Sequence, residues 1–259
     1  MSEGFTTIDW ELTDGVGTLW FDRPDALNGI VNTMLRELHE VLHRVAHDPE
    51  VAVVVVTGRG RAFCPGADLK HYSSGAADEA LRNEWFDIPV LLHEMPQVTI
   101  AAINGACAGA GLGFALACDL RYAASTAKLN TAFLDVAVAG DMGVPWTLPR
   151  VVGAGRAREL SLLPRKLDAH EAVAIGLVND VFEPDVLLDE VGARARRIAD
   201  AAPLARRSMK AHHVAAERVG FADFVALETE RHRVISGSAD TGEAFRAFVE
   251  KRPARFEGR

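Results

Sequence analysis

The chain has 259 residues, 49% of them hydrophobic, and its 28 Lys and Arg against 36 Asp and Glu give a formal net charge of -8. That length supports one substantial core, and α/β domains of this size commonly stay undivided. The acidic balance excludes a nucleic-acid binder, whose phosphate affinity comes from clustered cations, so an anionic ligand has to meet a local basic patch.

In chain order, Thr6 to Leu12 and Val16 to Phe21 alternate as strands around Asp14-Gly15, a hairpin signal. Asn32 opens a run with apolar residues at Leu35, Leu38, Leu42 and Val45, a helical spacing, and Val51 to Val56 reads as a strand buried on both faces. A second cycle predicts a helix from Asp78 to His93, a strand from Val98 to Ile103, a glycine-rich turn and a helix from Gly109 to Ala117. Such alternation implies a largely parallel sheet with helical cover. Beyond Gly153 the pattern turns helical: Arg156 to Leu163, Asp168 to Ile175, Leu187 to Ala199 and Pro203 to Arg218, with one strand-like piece, Val178 to Phe182. Asp240 and Glu243 have the spacing of a capping box for a last helix through Val249, stopped by Pro253.

Cys64, Cys107 and Cys118 form no CxxC pair, and their odd number argues against a secreted disulfide framework. The first residues show no basic-then-apolar signal pattern, and no apolar run approaches the roughly 20 residues of a spanning helix. The expected location is the cytoplasm, with no membrane partner.

Two glycine-containing turns follow apolar strands, where open α/β sheets place their ligands. One runs Gly58-Arg59-Gly60-Arg61-Ala62-Phe63-Cys64-Pro65-Gly66-Ala67-Asp68-Leu69, the other Asn104-Gly105-Ala106-Cys107-Ala108-Gly109-Ala110-Gly111-Leu112-Gly113. Small residues let a ligand approach the backbone, and amides at a helix N-terminus favour developing negative charge. Each turn alone is equally explained by tight helix-strand packing. A dinucleotide fingerprint starting at Gly109 and Gly111 fails at Phe114, where the third glycine belongs. No G-x-x-x-x-G-K-[ST] loop or G-x-S-x-G elbow is present.

The run Arg23-Pro24-Asp25-Ala26-Leu27-Asn28, the loop Phe63 to Leu69, and Asn104-Gly105 through Cys118-Asp119-Leu120-Arg121 together resemble the enoyl-CoA hydratase/isomerase, or crotonase, superfamily. The resemblance continues through Leu148-Pro149-Arg150-Val151-Val152-Gly153 and Glu171-Ala172 to Gly176-Leu177-Val178-Asn179, nearly the whole chain. It is nearest the 1,2-epoxyphenylacetyl-CoA isomerase and enoyl-CoA isomerase branch. It implies an α/β fold, a crotonase-like spiral of ββα units, with residues 1–200 as core and residues 201–259 as a C-terminal helical trimerisation subdomain. It further implies an acyl-CoA thioester as partner, a homotrimer or dimer of trimers, and no cofactor, coenzyme A being part of the substrate; no metal site is expected.

By the same resemblance, the backbone N–H groups of Ala67 and Ala110 hold the thioester oxygen. Substrate-binding positions carry over to Arg23, Ala26, Leu27, Gly66, Asp68, Leu69, Lys70, Gly109, Phe133, Val138 and Lys251. The two glutamates with which the family's hydratases handle water fall at Gly113 and Phe133, neither of which transfers a proton. The remaining acid is Asp141, at a position where some isomerases and aryl-CoA dehalogenases of the superfamily carry an aspartate. It follows the apolar run Val136 to Ala139, which favours a dry setting and a raised pKa; its bland alternative is an N-cap for the helix entering at Pro145. A lone carboxylate suits a proton shuttle, which removes a γ-proton and returns it to the α-carbon while the hole holds the dienolate. The resemblance thus favours an isomerase. A hydratase of fatty-acid or aromatic degradation, or an acyl-CoA binder without activity, are the alternatives.

Overall fold

A computed structural model describes residues 4–76 and 78–259. Strands β1 (Ile8–Thr13) and β2 (Val16–Phe21) form an antiparallel hairpin whose two-residue turn places Asp14 and Gly15 at φ 49° and 76°. Those left-handed angles match the strand twist and favour glycine at the second position. Helix α1 (Asn32–Ala46) buries Leu35, Leu38, Leu42 and Val45 as its spacing predicts. Next come β3 (Val53–Gly58), β4 (Ala62–Cys64), a short α2 (Leu69–Ser73) and α3 (Ile88–Glu94). The third cycle is β5 (Val98–Ile103), β6 (Ala106–Ala108) and α4 (Ala110–Ala117), followed by β7 (Leu120–Ala124) and β8 (Lys128–Asn130).

After the opening hairpin, each cycle lays a long strand in one sheet and a three-residue strand in another before turning into a helix, which is a spiral of ββα units. The large sheet has the order β1-β2-β3-β5-β7-β10 and is parallel from β2 onward, β10 being Asp180–Phe182. The small sheet is β4-β6-β8-β9, with β9 at Leu167–Asp168. Every residue of β3 is buried, because helices cover both faces of the sheet. The small sheet was not foreseen, since three-residue strands are too short to show a period.

The second half adds α5 (Val144–Val152), α6 (Ala154–Leu162), α7 (Ala169–Ala174), α8 (Leu187–Ala199), α9 (Pro203–Ala216), α10 (Phe221–Ser236) and α11 (Ala239–Glu250). Helix α10 buries no residue and gives no periodic signal, so the sequence did not reveal it. The helix expected from Asp78 starts only at Ile88, after a 3-10 turn over Asn83–Asp87. Asp78 is taken up elsewhere, accepting the Asn32 and Thr33 N–H groups at 2.7 and 3.2 Å and so capping α1, whose own cap residue, Val31, has no suitable side chain. The expected capping box at Asp240 is also corrected. Ser238 caps α11, its Oγ accepting the Thr241 N–H, while Asp240, 3% exposed, binds the Glu257 and Gly258 N–H groups and holds the C-terminal segment.

Asp119 braces the molecule. Its carboxylate accepts the Thr99 N–H at 2.7 Å and pairs with Lys210 at 2.9 Å, and the same ammonium donates to the carbonyls of Leu92 and Gln97. Lys210 is 5% exposed, and burial lowers its pKa. Replacing Asp119 with Ala leaves that ammonium buried without its counter-ion. The expected loss is roughly 3 kcal/mol in urea unfolding, the low end for a buried pair because Asp119 is itself partly hydrated.

Candidate active site

The first turn leaves β4 and the second leaves β6, and these strands are parallel neighbours with Cys64 beside Cys107. Gly66 adopts φ 96°, and Ala67 forms an isolated parallel bridge with Ile30. The bridge is made by Gly66 O with the Ile30 N–H and by the Asp68 N–H with Ile30 O, both at 2.9 Å, so Ala67's own N–H stays outside it. Gly109, at φ 53°, caps α4, and Ala110 is its first residue, where an amide has no partner within the helix. A β-carbon built on Gly66 would stand 3.6 Å from the Ala110 nitrogen, so the two amides belong to segments in direct contact. Gly111 permits that contact, because a β-carbon there would lie 2.1 Å from the Cys64 carbonyl oxygen. An amide at the positive end of a helix is suited to an anion that develops on a bound oxygen, and the Ala110 N–H has that place.

Asp141 lies in the segment that runs from Phe133 to α5. Its Oδ1 is buried among the described residues with no hydrogen-bond partner, and desolvation raises its pKa above the usual aspartate range. The capping alternative is not realised: Gly143 is the N-cap of α5, and Asp141 gives only its backbone carbonyl to the Val144 N–H. The carboxylate sits near enough to Cys64 to act on its thiol, which burial, and then the Asp141 charge, push up to about 12. The segment holding Asp141 is strained, with positive φ at the non-glycine residues Ala132, Ala137 and Met142, and such backbone persists where the surroundings over-determine it.

Phe133 is 8% exposed, and its ring edge would lie 3.8 Å from a β-carbon on Gly109, so it walls the second turn with hydrocarbon. Val138 binds back to the Phe133 carbonyl through its N–H and is 46% exposed. Arg23 pairs with Asp68 at 3.0 Å and also donates to Gly29 O, so its charge is largely spent within the protein. Asp68 in turn caps α2 by accepting the His71 N–H. Ala26 ends a 3-10 turn over Pro24–Ala26, and Leu27 follows at φ 54°. A β-carbon on Gly29 would stand 3.0 Å from the Asp68 Cβ, which sets this turn against the Ala67 loop. Leu69 is 56% exposed and Lys70 is exposed beside it. Lys251 stands exposed at the end of α11, which packs on α10. Trp85 is a core residue at 2% exposure, whereas Phe86 and Trp146 are 39% and 42% exposed.

Cys64 and Met142 were missed as parts of this site. Neither carries a local signal, since each matters through what it touches. The expected absence of an H-E-x-x-H zinc helix is corrected: His39-Glu40-Val41-Leu42-His43 has that form. The two Nε2 atoms lie 3.1 Å apart on α1, but Glu40 pairs with Arg36, and no cluster of three or more metal-ligating residues occurs among the described residues.

The spiral and the two converging turns define a class, the crotonase-fold enzymes that act on acyl-CoA thioesters. The chain belongs to the enoyl-CoA hydratase/isomerase family, whose family model matches residues 11–259. It is 34% identical over 255 residues to the (E)-benzylidenesuccinyl-CoA hydratase of Thauera aromatica, covering 97% of this chain and 99% of that protein. It is also 34% identical over 251 residues to the 1,2-epoxyphenylacetyl-CoA isomerase of Escherichia coli (strain K12), covering 95% and 96%. The crystal structure of an enoyl-CoA hydratase from Bacillus anthracis superposes with a TM-score of 0.90 at 30% identity, covering 98% of this chain and 100% of that one.

All three cysteines are buried, and burial raises each thiol's pKa. A thiol reagent at pH 8 is expected to find none of them in the native protein and three after denaturation, because the thiolate is the reactive form.

Proposed function

We propose that this enzyme moves a carbon-carbon double bond within an acyl-CoA by passing one proton through Asp141. The observation that carries the reading is the buried, unpartnered Asp141 Oδ1, with a carboxyl pKa raised by desolvation. An acid left unpaired and partly desolvated is a stronger base than an ordinary aspartate and gives its proton back less readily to water, the property a shuttle needs. The positions of the hydratase glutamates support the same reading, since Gly113 and Phe133 offer no group to activate water.

With a 3-enoyl-CoA, the Asp141 carboxylate takes a proton from the α-carbon, and the electron pair moves through the carbonyl carbon onto the thioester oxygen. The N–H groups of Ala67 and Ala110 hold that dienolate. The protonated Asp141 then gives its proton to the γ-carbon, the oxygen's electrons return, and a 2-enoyl-CoA results. The reverse reaction starts at the γ-carbon, and nothing is gained or lost overall. Phe133 keeps the Gly109 side of the site apolar, which supports an aryl or long acyl group; two relatives named for aromatic acyl-CoA substrates point the same way. Exposed Lys70, three residues after Ala67 and in no ion pair named above, is the cation we assign to the coenzyme phosphates, with Lys251 supplied by a neighbouring copy in a trimer or dimer of trimers. Phe245, Phe248 and Val249 of α11, at 70%, 85% and 79% exposure, support such self-association. The buried free thiols support a reducing compartment.

Purified protein given a 3-enoyl-CoA is expected to form the 2-enoyl-CoA; net hydration would favour the hydratase reading, and tight binding without turnover the binder. Asp141→Asn is expected to lower isomerisation by about 10²–10⁴-fold, the usual worth of a positioned acid-base group, with binding kept. Full activity in that variant would end the proposal. The same substitution tests stability. A carboxyl whose folded pKa lies above its unfolded value destabilises the fold as pH rises, so Asp141→Asn is expected to melt at or above wild type at pH 7. The difference should close as pH falls toward the usual aspartate value of about 4, and is read by calorimetry across that range.

A further inference from the structure

We infer that Gly113 and Met142 form the contact that positions Asp141, so that the glycine on α4 is a requirement of this active site rather than merely the loss of an acid. This rests on the isomerase reading above. A β-carbon built on Gly113 would stand 2.6 Å from the Met142 Cβ and 2.7 Å from its carbonyl oxygen, whereas ordinary contact begins at 3.4 Å. Met142 is thus seated where a side chain of residue 113 would be. It is 5% exposed and adopts φ 44°, a left-handed conformation that costs a non-glycine residue free energy and persists only when packing imposes it. Asp141 is its immediate neighbour. On the other side of Asp141, a β-carbon on Gly140 would stand 2.7 Å from Pro145 Cγ in α5. The carboxylate is held between two backbone approaches that only glycine allows.

One of these approaches is to α4, the helix whose first residue, Ala110, supplies the second amide of the hole. The acid and the amide are therefore referenced to the same rigid element three residues apart, which is how a loop residue acquires a fixed place. Any side chain at position 113 has to push the Met142 carbonyl away by roughly 0.7 Å, the gap between 2.7 and 3.4 Å. A misplacement of about 1 Å costs on the order of 10²-fold in rate. The same shift lets water reach Asp141 and removes the desolvation that raises its pKa.

The test uses Gly113→Ala, with Gly155→Ala as the control, since a β-carbon on Gly155 meets nothing within 4 Å. For Gly113→Ala the expectation is a 10- to 100-fold fall in kcat, KM for the thioester within about 3-fold of wild type, and an acid limb of the kcat–pH profile moved to lower pH. The control should retain wild-type kcat, KM and pH profile. Wild-type kcat in Gly113→Ala, or a lower kcat with an unmoved acid limb, would overturn the inference. If Gly113→Ala does not fold, Met142→Gly decides: it adds no bulk and releases the strained backbone, and the same fall in kcat with the same direction of pH shift is expected. A Met142→Gly enzyme with wild-type kinetics would refute the contact's role. The two readings fail separately. Full activity of Asp141→Asn removes the isomerase mechanism, whereas an inactive Asp141→Asn beside a wild-type Gly113→Ala removes only the positioning contact.

Discussion

The close approach of the Cys64 carbonyl to Gly111 sets the geometry from which the rest of the site follows. A β-carbon at Gly111 would lie 2.1 Å from that oxygen, so the contact exists only because residue 111 has no side chain. It fixes the end of β4 against the first turn of α4 and so sets the segments that carry Ala67 and Ala110 in contact. The amides themselves need no special residue type, since any residue but proline has an N–H. What the sequence has to specify is the absence of bulk at Gly111 and Gly66, together with the left-handed backbone angles at Gly66 and Gly109. The ββα spiral delivers both turns to one end of the sheet, because consecutive cycles leave the parallel strands β3 and β5 in the same direction.

Asp141 is the complementary constraint. A buried polar atom without a partner is costly, and proteins rarely keep one without reason. This carboxylate has an obvious way to be satisfied, by capping α5, and Gly143 takes that place instead. Among the described residues, desolvation alone shifts it, and the neighbouring Cys64 is a thiol made harder to ionise. Arg23, the cation near the first turn, is committed to Asp68 at 3.0 Å. The site thus keeps its acid uncompensated while cations close by are neutralised within the framework, as they are at Asp119 and Lys210.

Much of this was readable in the sequence, and the limits have physical causes. The hairpin, α1, β5 and α8 announce themselves by period and turn residues, since their burial is one-sided or complete along a continuous stretch. The two glycine turns were legible because small residues in series after an apolar strand have few uses. Asp141 stood out only against the empty positions at Gly113 and Phe133. The contacts that hold it were not legible: Gly113 reads as a missing glutamate until Met142 is seen in the vacated space, and nothing in the residues around Met142 announces its left-handed backbone. Asp78 and Asp240 failed in the same way, each looking like the start of its own helix. Each is spent across a gap in sequence, Asp78 on α1 and Asp240 on the C-terminal segment.

In the proposed shuttle, one carboxylate carries one proton between two carbons of an acyl-CoA while the Ala67 and Ala110 amides hold the charge. Turnover of a 3-enoyl-CoA deuterated at the α-carbon, run in heavy-oxygen water, tests it most directly. Such a shuttle gives a 2-enoyl-CoA with part of the deuterium at the γ-carbon and no solvent oxygen incorporated. A 3-hydroxyacyl-CoA containing solvent oxygen as the main product would contradict it.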